Sequence, residues 1–183
     1  MSVKWLIASD LHGDAECTEK LIERYRESGA EKLILLGDIL YHGPRNDLPS
    51  GYAPKKVIEM LNAMRDELLC VRGNCDTEVD QMVLSFPVLA SYAYLCADGL
   101  TFFVTHGHTF NTSALPPLKK GDILLHGHTH IPVCEPFGDG NLYVNPGSVS
   151  IPKENSVKSY IIYENRILTF FDLDGKVYKT VNL

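Results

Sequence analysis

Three short, mostly apolar runs alternate with two amphipathic stretches in the first 72 residues, and that alternation constrains the fold more than any other feature. Residues 3–9, 32–36 and 68–72 have the length and apolar character of strands buried on both faces of a sheet. Between the first two, residues 14–28 place Cys17, Leu21, Ile22 and Tyr25 at helical spacing before Gly29 stops the run. A second helix opens at Pro54, a residue tolerated in the first turn, and continues through Val57, Ile58, Leu61 and Met64. Strand–helix–strand–helix–strand predicts a parallel, right-handed α/β sheet.

The second half changes character. Segments 91–96 and 101–105 flank Asp98-Gly99, a hairpin turn signal. Segments 123–125, 133–135, 142–144, 159–163, 168–173 and 177–181 read as further short strands, punctuated by Asp139-Gly140 and Asp174-Gly175. We expect two packed sheets, with helices on the outer face of the first half. The chain of 183 residues shows no repeat and no linker, so one domain over residues 1–183 is expected. A chain of that size buries about two-thirds of its extended surface and needs no metal or disulfide as a staple. Two long irregular segments, 41–53 and 107–121, are candidate site loops.

The formal charge of −6, with no run of Lys or Arg, argues against a nucleic-acid interface and disfavours a nuclease. Five cysteines without a Cys-x-x-Cys pair read as reduced thiols, which points to a cytoplasmic protein. The only apolar run near the start, Trp5-Leu-Ile-Ala8, is cut short by Asp10 and makes neither a signal peptide nor a membrane span. The C-terminal strands, 168–183, leave an edge suited to pairing with a second copy, so a homo-oligomer is a candidate state. Tyr92, Tyr94, Phe102 and Phe103 are expected in the core or an interface.

Chemistry gathers after the strands. Asp10-Leu-His12, His106-Gly-His108 and His128-Thr-His130 each follow an apolar run directly, as do Gly37-Asp38 and Gly73-Asn74-Cys75-Asp76. Parallel strands end on one edge of a sheet, so these groups are expected to converge there. Two Asp, several His and one Asn form a mixed oxygen and nitrogen ligand field, and imidazole favours Mn, Fe, Zn, Co or Ni over Mg or Ca. One metal needs three or four protein ligands, and the set is larger. Two metals about 3.5–4 Å apart, sharing a carboxylate, account for the surplus. Such a site carries local positive charge and attracts phosphate even within an acidic chain.

Asp10-x-His12, Gly37-Asp38, Gly73-Asn74-x-Asp76, His106 and Gly127-His128-x-His130 resemble, in order and in placement, the five motifs of calcineurin-like metallophosphoesterases. A closer resemblance, to YfcE-type bacterial phosphodiesterases, rests on Leu36-Gly-Asp-Ile-Leu-Tyr-His-Gly-Pro-Arg-Asn46, Arg72-Gly-Asn-Cys-Asp76 and Asn145-Pro-Gly-Ser148. The resemblance implies a four-layer α/β/β/α sandwich of two mixed sheets and a metal-dependent phosphodiesterase acting on a small phosphodiester. It implies one metal held by Asp10, His12, Asp38 and His130, and a second by Asp38, Asn74, His106 and His128. It also implies a hydroxide bridging two divalent ions as nucleophile, and manganese as the metal, with Zn, Fe, Ni and Co as alternatives. A protein-binding scaffold is the rival function, because a retromer subunit shares the fold.

Several neighbours enter as candidates. Cys75 stands where the wider superfamily has a histidine, and a neutral thiol is a weak donor to a leaving group. The site is therefore expected to prefer diesters with acidic leaving groups, with His42 as replacement donor and Arg45 as a phosphate contact. Asp76 is expected either to hold a histidine in its tautomer or to shape the surroundings, the alternative being an N-cap for 77–84. His108 is divided between orienting a ligand and sitting in a plain loop. Arg72 is expected to pair with a structural carboxylate.

Overall fold

The computed structural model describes residues 3–183. Strand β1 (Lys4–Ala8) pairs in parallel with β2 (Lys32–Leu35), and β2 with β3 (Leu68–Cys70), through the crossover helices α1 (Ala15–Ser28) and α2 (Pro54–Ala63). Strands β9 (Ser159–Glu164), β10 (Ile167–Asp172) and β11 (Val177–Asn182) extend this sheet antiparallel on the other side of β1. The resulting six-stranded order is β11-β10-β9-β1-β2-β3, with β11 at an edge. The second sheet has five strands in the order β4-β5-β6-β8-β7. These are β4 (Tyr92–Ala97), β5 (Leu100–Thr105), β6 (Ile123–Leu125), β7 (Pro132–Phe137) and β8 (Asn141–Pro146). Here β5, β6 and β8 run parallel, while β4 and β7 are antiparallel flanks.

Alternation along β1 shows how the layers form. Leu6 and Ala8 point into a core with Leu21, Ile22, Tyr25, Val57 and Leu61 from the two helices. Trp5 and Ile7 point the other way, into a core shared with Phe102, Val104, Ile123, Leu125 and Val144 of the second sheet. The helices thus cover the outer face of the first sheet, as expected. On the outer face of the second sheet, the loop after β5 supplies the cover: Phe110 packs on Phe103 at 5.6 Å between ring centres. Phe102 and Phe103 are buried, whereas Tyr92 and Tyr94 are about half exposed.

The predicted turns and caps are present with local causes. Asp14 caps α1, its Oδ1 accepting the Cys17 N–H at 3.0 Å, and Gly29 ends that helix at φ 67. Asp98 and Gly99, at φ 51 and 76, make the tight turn of the β4–β5 hairpin. A short helix α3 (Glu78–Val83) forms within 77–84, the segment for which Asp76 was the alternative N-cap. Its N-cap is Thr77, whose N–H and hydroxyl both reach the Asp80 carboxylate, so Asp76 is not the cap.

Candidate metal centre

The strand ends bring the candidate groups together by forcing their backbones into an unusual conformation. Asp10, His12, Asp38, His128 and His130 all have positive φ, between 48° and 68°. Left-handed backbone costs a non-glycine residue on the order of 1 kcal/mol, so five such residues in one cluster mark a site that the surrounding structure holds in place. Close approach of the loops depends on glycine at two points. A Cβ on Gly73 would run into the Asp38 carboxylate and N–H, and one on Gly127 would run into the Ser9 hydroxyl and Asp10 Oδ2.

Two groups of donors result, joined by one carboxylate. In the first, Asp10 Oδ1 lies 3.2 Å from His130 Nε2 and 3.5 Å from His12 Nε2, and the two imidazole nitrogens are 3.3 Å apart. In the second, His106 Nε2 lies 3.1 Å from Asn74 Oδ1 and 3.2 Å from His128 Nδ1. Between them, Asp38 Oδ2 is 3.8 Å from His12 Nε2 and 3.5 Å from His106 Nε2. Every residue proposed from the sequence as a metal ligand is in this cluster.

The outer ring nitrogens decide what the inner ones offer. His12, His106 and His130 each place Nδ1 against a backbone carbonyl, of Tyr41 at 2.7 Å, Leu36 at 2.6 Å and Ile151 at 2.7 Å. A carbonyl only accepts, so Nδ1 carries the proton and, in the neutral ring, the Nε2 lone pair faces inward. Asp10 Oδ2 accepts the Ser9 hydroxyl at 2.6 Å and the His128 N–H at 3.0 Å, yet its buried Oδ1 has no hydrogen-bond partner. A buried carboxylate oxygen facing imidazole lone pairs, with no donor of its own, is a cradle for a cation. The donor set therefore fits divalent metal.

Titration behaviour in the metal-free cluster reflects the same crowding. Burial pulls the His106 pKa down, but Asp38 and Asp10 outweigh it and lift the value to about 9. Burial raises the Asp10 carboxyl, yet His12 and His130 hold it well below the usual carboxylate range. Burial and the neighbouring His106 push His128 down to about 4.

Asp76 sits in the surroundings of the cluster, one of the two roles expected for it, rather than on a histidine. Its carboxylate touches no histidine; it accepts the backbone N–H of Asp38 at 2.8 Å, Ile39 at 2.9 Å and Gly73 at 2.7 Å, fastening the β2 and β3 loops together. The Cys75 N–H donates to Asp38 Oδ1 at 2.8 Å, and its thiol, pushed up by burial and by Asp38, stays protonated. Arg72 bonds to the Asp76 carbonyl at 3.1 Å and lies 3.5 Å from Glu78. His42 sits edge-on between Tyr41 and Tyr52, and Gly43 of the same loop lies against Cys75, while Arg45 is exposed. His108 is exposed beside the cluster, its ring 5.4 Å from that of His106.

Sequence reasoning passed over His126. It is buried, stacked on Tyr143 at 4.4 Å, and stands beside Gly107. The three carbonyls that orient the imidazoles were also missed, and no side-chain pattern signals a carbonyl.

Residues 3–166 match the calcineurin-like phosphoesterase superfamily domain. The chain belongs to that superfamily. It is 47% identical over 174 residues to Phosphodiesterase YfcE of Escherichia coli (strain K12), covering 95% of this chain and 94% of that protein. The probable metallophosphoesterase YsnB of Bacillus subtilis is 27% identical over 181 residues, 93% of this chain and 91% of its own. The solved structure of the E. coli phosphoesterase YfcE superposes with a TM-score of 0.94 at 46% identity, covering 98% of each chain. Vacuolar Protein Sorting 29 of Cryptosporidium parvum superposes with a TM-score of 0.64 at 20% identity, covering 100% of this chain and 99% of that one, a likeness of fold alone. The superfamily's fold, with its two mixed sheets, is the one described above, and its members' chemistry implies divalent metal ions. Among the described residues, no helix is long and apolar enough to cross a membrane.

Proposed function

We propose that this protein is a phosphodiesterase that hydrolyses a small phosphodiester with two divalent metal ions. One ion is held by Asp10, His12, Asp38 and His130, the other by Asp38, Asn74, His106 and His128. The reading rests on one observation above all: Asp38 Oδ2 stands between the two donor groups, 3.8 Å from His12 Nε2 and 3.5 Å from His106 Nε2. It is supported by 47% identity to a relative named as a phosphodiesterase. Bound there, the two ions would supply a hydroxide activated as nucleophile and positive charge toward the phosphate oxygens.

The chain's own residues do the rest. Asp38 is the shared carboxylate, which also offsets repulsion between the ions. The carbonyls of Leu36, Tyr41 and Ile151 keep three imidazoles in the tautomer that presents Nε2. Asp76 holds the loop of Asp38, and Cys75 acts as a neutral thiol rather than a nucleophile. His42 and Arg45, on the loop that lies over Cys75, meet the phosphate and leaving group. Imidazole, carboxylate and amide together suit manganese, with Zn, Fe, Ni and Co as competitors for the same donors. The chain acts in the cytoplasm as one domain over 1–183, without a nucleic-acid or membrane partner. A pure scaffold needs the fold but not a complete ligand set, and here the set is complete.

The test is hydrolysis of bis(4-nitrophenyl) phosphate by manganese-loaded and chelator-treated protein, alongside Asp38→Asn. We expect nitrophenolate release that requires the metal and falls about a hundredfold or more in the variant. Release unaffected by Asp38→Asn, or none at saturating manganese, would overturn the reading.

A further inference from the structure

The Asn145-Pro-Gly-Ser148 motif has no part in the chemistry so far, yet the segment it opens lies under one half of the cluster. Ser148 Oγ donates to the Asp10 carbonyl at 2.8 Å, and Ser150 Oγ donates to the same carbonyl at 2.9 Å. Both serines are buried. Ser148 Oγ in turn accepts the N–H groups of Ser150 at 3.2 Å and Ile151 at 3.0 Å, so the two hydroxyls and their backbone form one closed bracket. The Val149 N–H donates to the Ser9 carbonyl at 3.1 Å. The Ile151 carbonyl then takes His130 Nδ1 at 2.7 Å.

The bracket therefore grips two of the three residues around the unpartnered Asp10 Oδ1. It fixes Asp10 in its left-handed conformation, at φ 58, through the carbonyl, and it orients His130 through Nδ1. Its tie to the other half runs through Asp10 alone, whose Oδ2 accepts the His128 N–H at 3.0 Å. His106 is oriented by Leu36, and Asp38 by Asp76 and the Cys75 N–H, all on the β2 and β3 loops. The bracket thus acts directly on the first cation position and reaches the second only at one remove, through Asp10. A second hydroxyl on one carbonyl is more than satisfying a single buried acceptor requires, although its two lone pairs accommodate both. What both donors add is a fixed direction for the Asp10 peptide, and so for its carboxylate.

We propose that Ser148 and Ser150 are positioning residues that set the affinity of the Asp10–His12–His130 cation position far more than that of the Asn74–His106–His128 position. This rests on the two-metal reading above. Losing outer partners of metal ligands typically weakens binding about 10–100-fold, and that is the expected effect here, falling chiefly on one of two ions.

The experiment is calorimetric titration of Mn2+ into metal-free wild type, Ser150→Ala and the Ser148→Ala/Ser150→Ala double variant, with the electron paramagnetic resonance spectrum of bound manganese. Wild type is expected to take two ions and give the spectrum of a coupled pair. In the double variant, one ion should bind nearly as before and the other about 10–100-fold more weakly. The coupled spectrum should then appear only at correspondingly higher Mn2+. Ser150→Ala, which removes one donor and no acceptor used by the backbone, should show the same asymmetry to a smaller degree, and it decides the matter if the double variant does not fold. Unchanged binding of both ions, or equal weakening of both, overturns the proposal while leaving the phosphodiesterase reading intact. A wild type that takes fewer than two ions overturns that reading instead.

Discussion

The Asp76 carboxylate receives the backbone N–H of Asp38 at 2.8 Å, so one aspartate holds in place the peptide of another whose own carboxylate lies between the two donor groups. With Ile39 and Gly73 also donating to it, Asp76 is the knot between the loops after β2 and β3. It is buried, so no water replaces these bonds if the acceptor is lost.

Asp76→Asn is therefore expected to destabilise the metal-free protein by about 3 kcal/mol. An amide offers one acceptor oxygen and turns an NH2 toward N–H groups, leaving buried donors unsatisfied. Urea unfolding of chelator-treated protein measures this. A change below about 0.5 kcal/mol, the range of an ordinary surface substitution, would show that the three bonds do not hold the loops.

Metal removal should make stability depend on pH in a defined window. In the metal-free protein, His106 titrates at about 9 instead of the ordinary 6.5, because Asp38 and Asp10 outweigh its burial. A histidine raised in the folded state adds stability that is fully present below about 6.5 and disappears as pH climbs through about 9, here about 3 kcal/mol in all. Metal-loaded protein lacks this loss, since the ion takes the place of the proton. Thermal melts with and without chelator at pH 6.5 and 9 compare the two. Equal pH dependence in both would contradict the assignment of His106 as the charge-balancing group.

Leaving-group preference should follow Cys75. The thiol stays protonated under burial and the Asp38 charge and is a poor donor, so esters of poorly acidic alcohols should be hydrolysed slowly. Cys75→His is expected to raise kcat/KM for an alkyl phosphodiester about tenfold relative to an aryl one, and His42→Ala to lower it by a similar factor. If neither variant changes the aryl-to-alkyl ratio, leaving-group protonation does not run through these residues.

Much of the fold is legible in the sequence because its signals are local. The alternating apolar runs of β1 to β3, Pro54 at the start of α2 and Asp98-Gly99 between β4 and β5 all appear where their side chains place them. The break between β9 and β10 was placed, but its tight turn carried no signal, because Asn165 and Arg166 adopt φ of 51° and 62° without a glycine to mark it. Helix α3 entered only as the alternative in which Asp76 is an N-cap: it is six residues long, and Val79 and Met82 face solvent rather than forming an apolar stripe toward a core. In the site, the candidate ligands carry their own signature, since Asp, His and Asn beside glycine at strand ends point to metal. What orients them does not. The carbonyls of Leu36, Tyr41 and Ile151 belong to residues whose side chains are irrelevant to the task. Asp76 was singled out, but two of its three backbone partners, Asp38 and Ile39, lie on a loop far away in the chain and emerge only once the two loops meet.

Whether two cations share Asp38 is tested most directly by anomalous diffraction from crystals of manganese-loaded protein. We predict two peaks about 3.5–4 Å apart, one coordinated by Asp10, His12 and His130, the other by Asn74, His106 and His128, with Asp38 bound to both. A single fully occupied peak, or a second peak that does not touch Asp38, would contradict it.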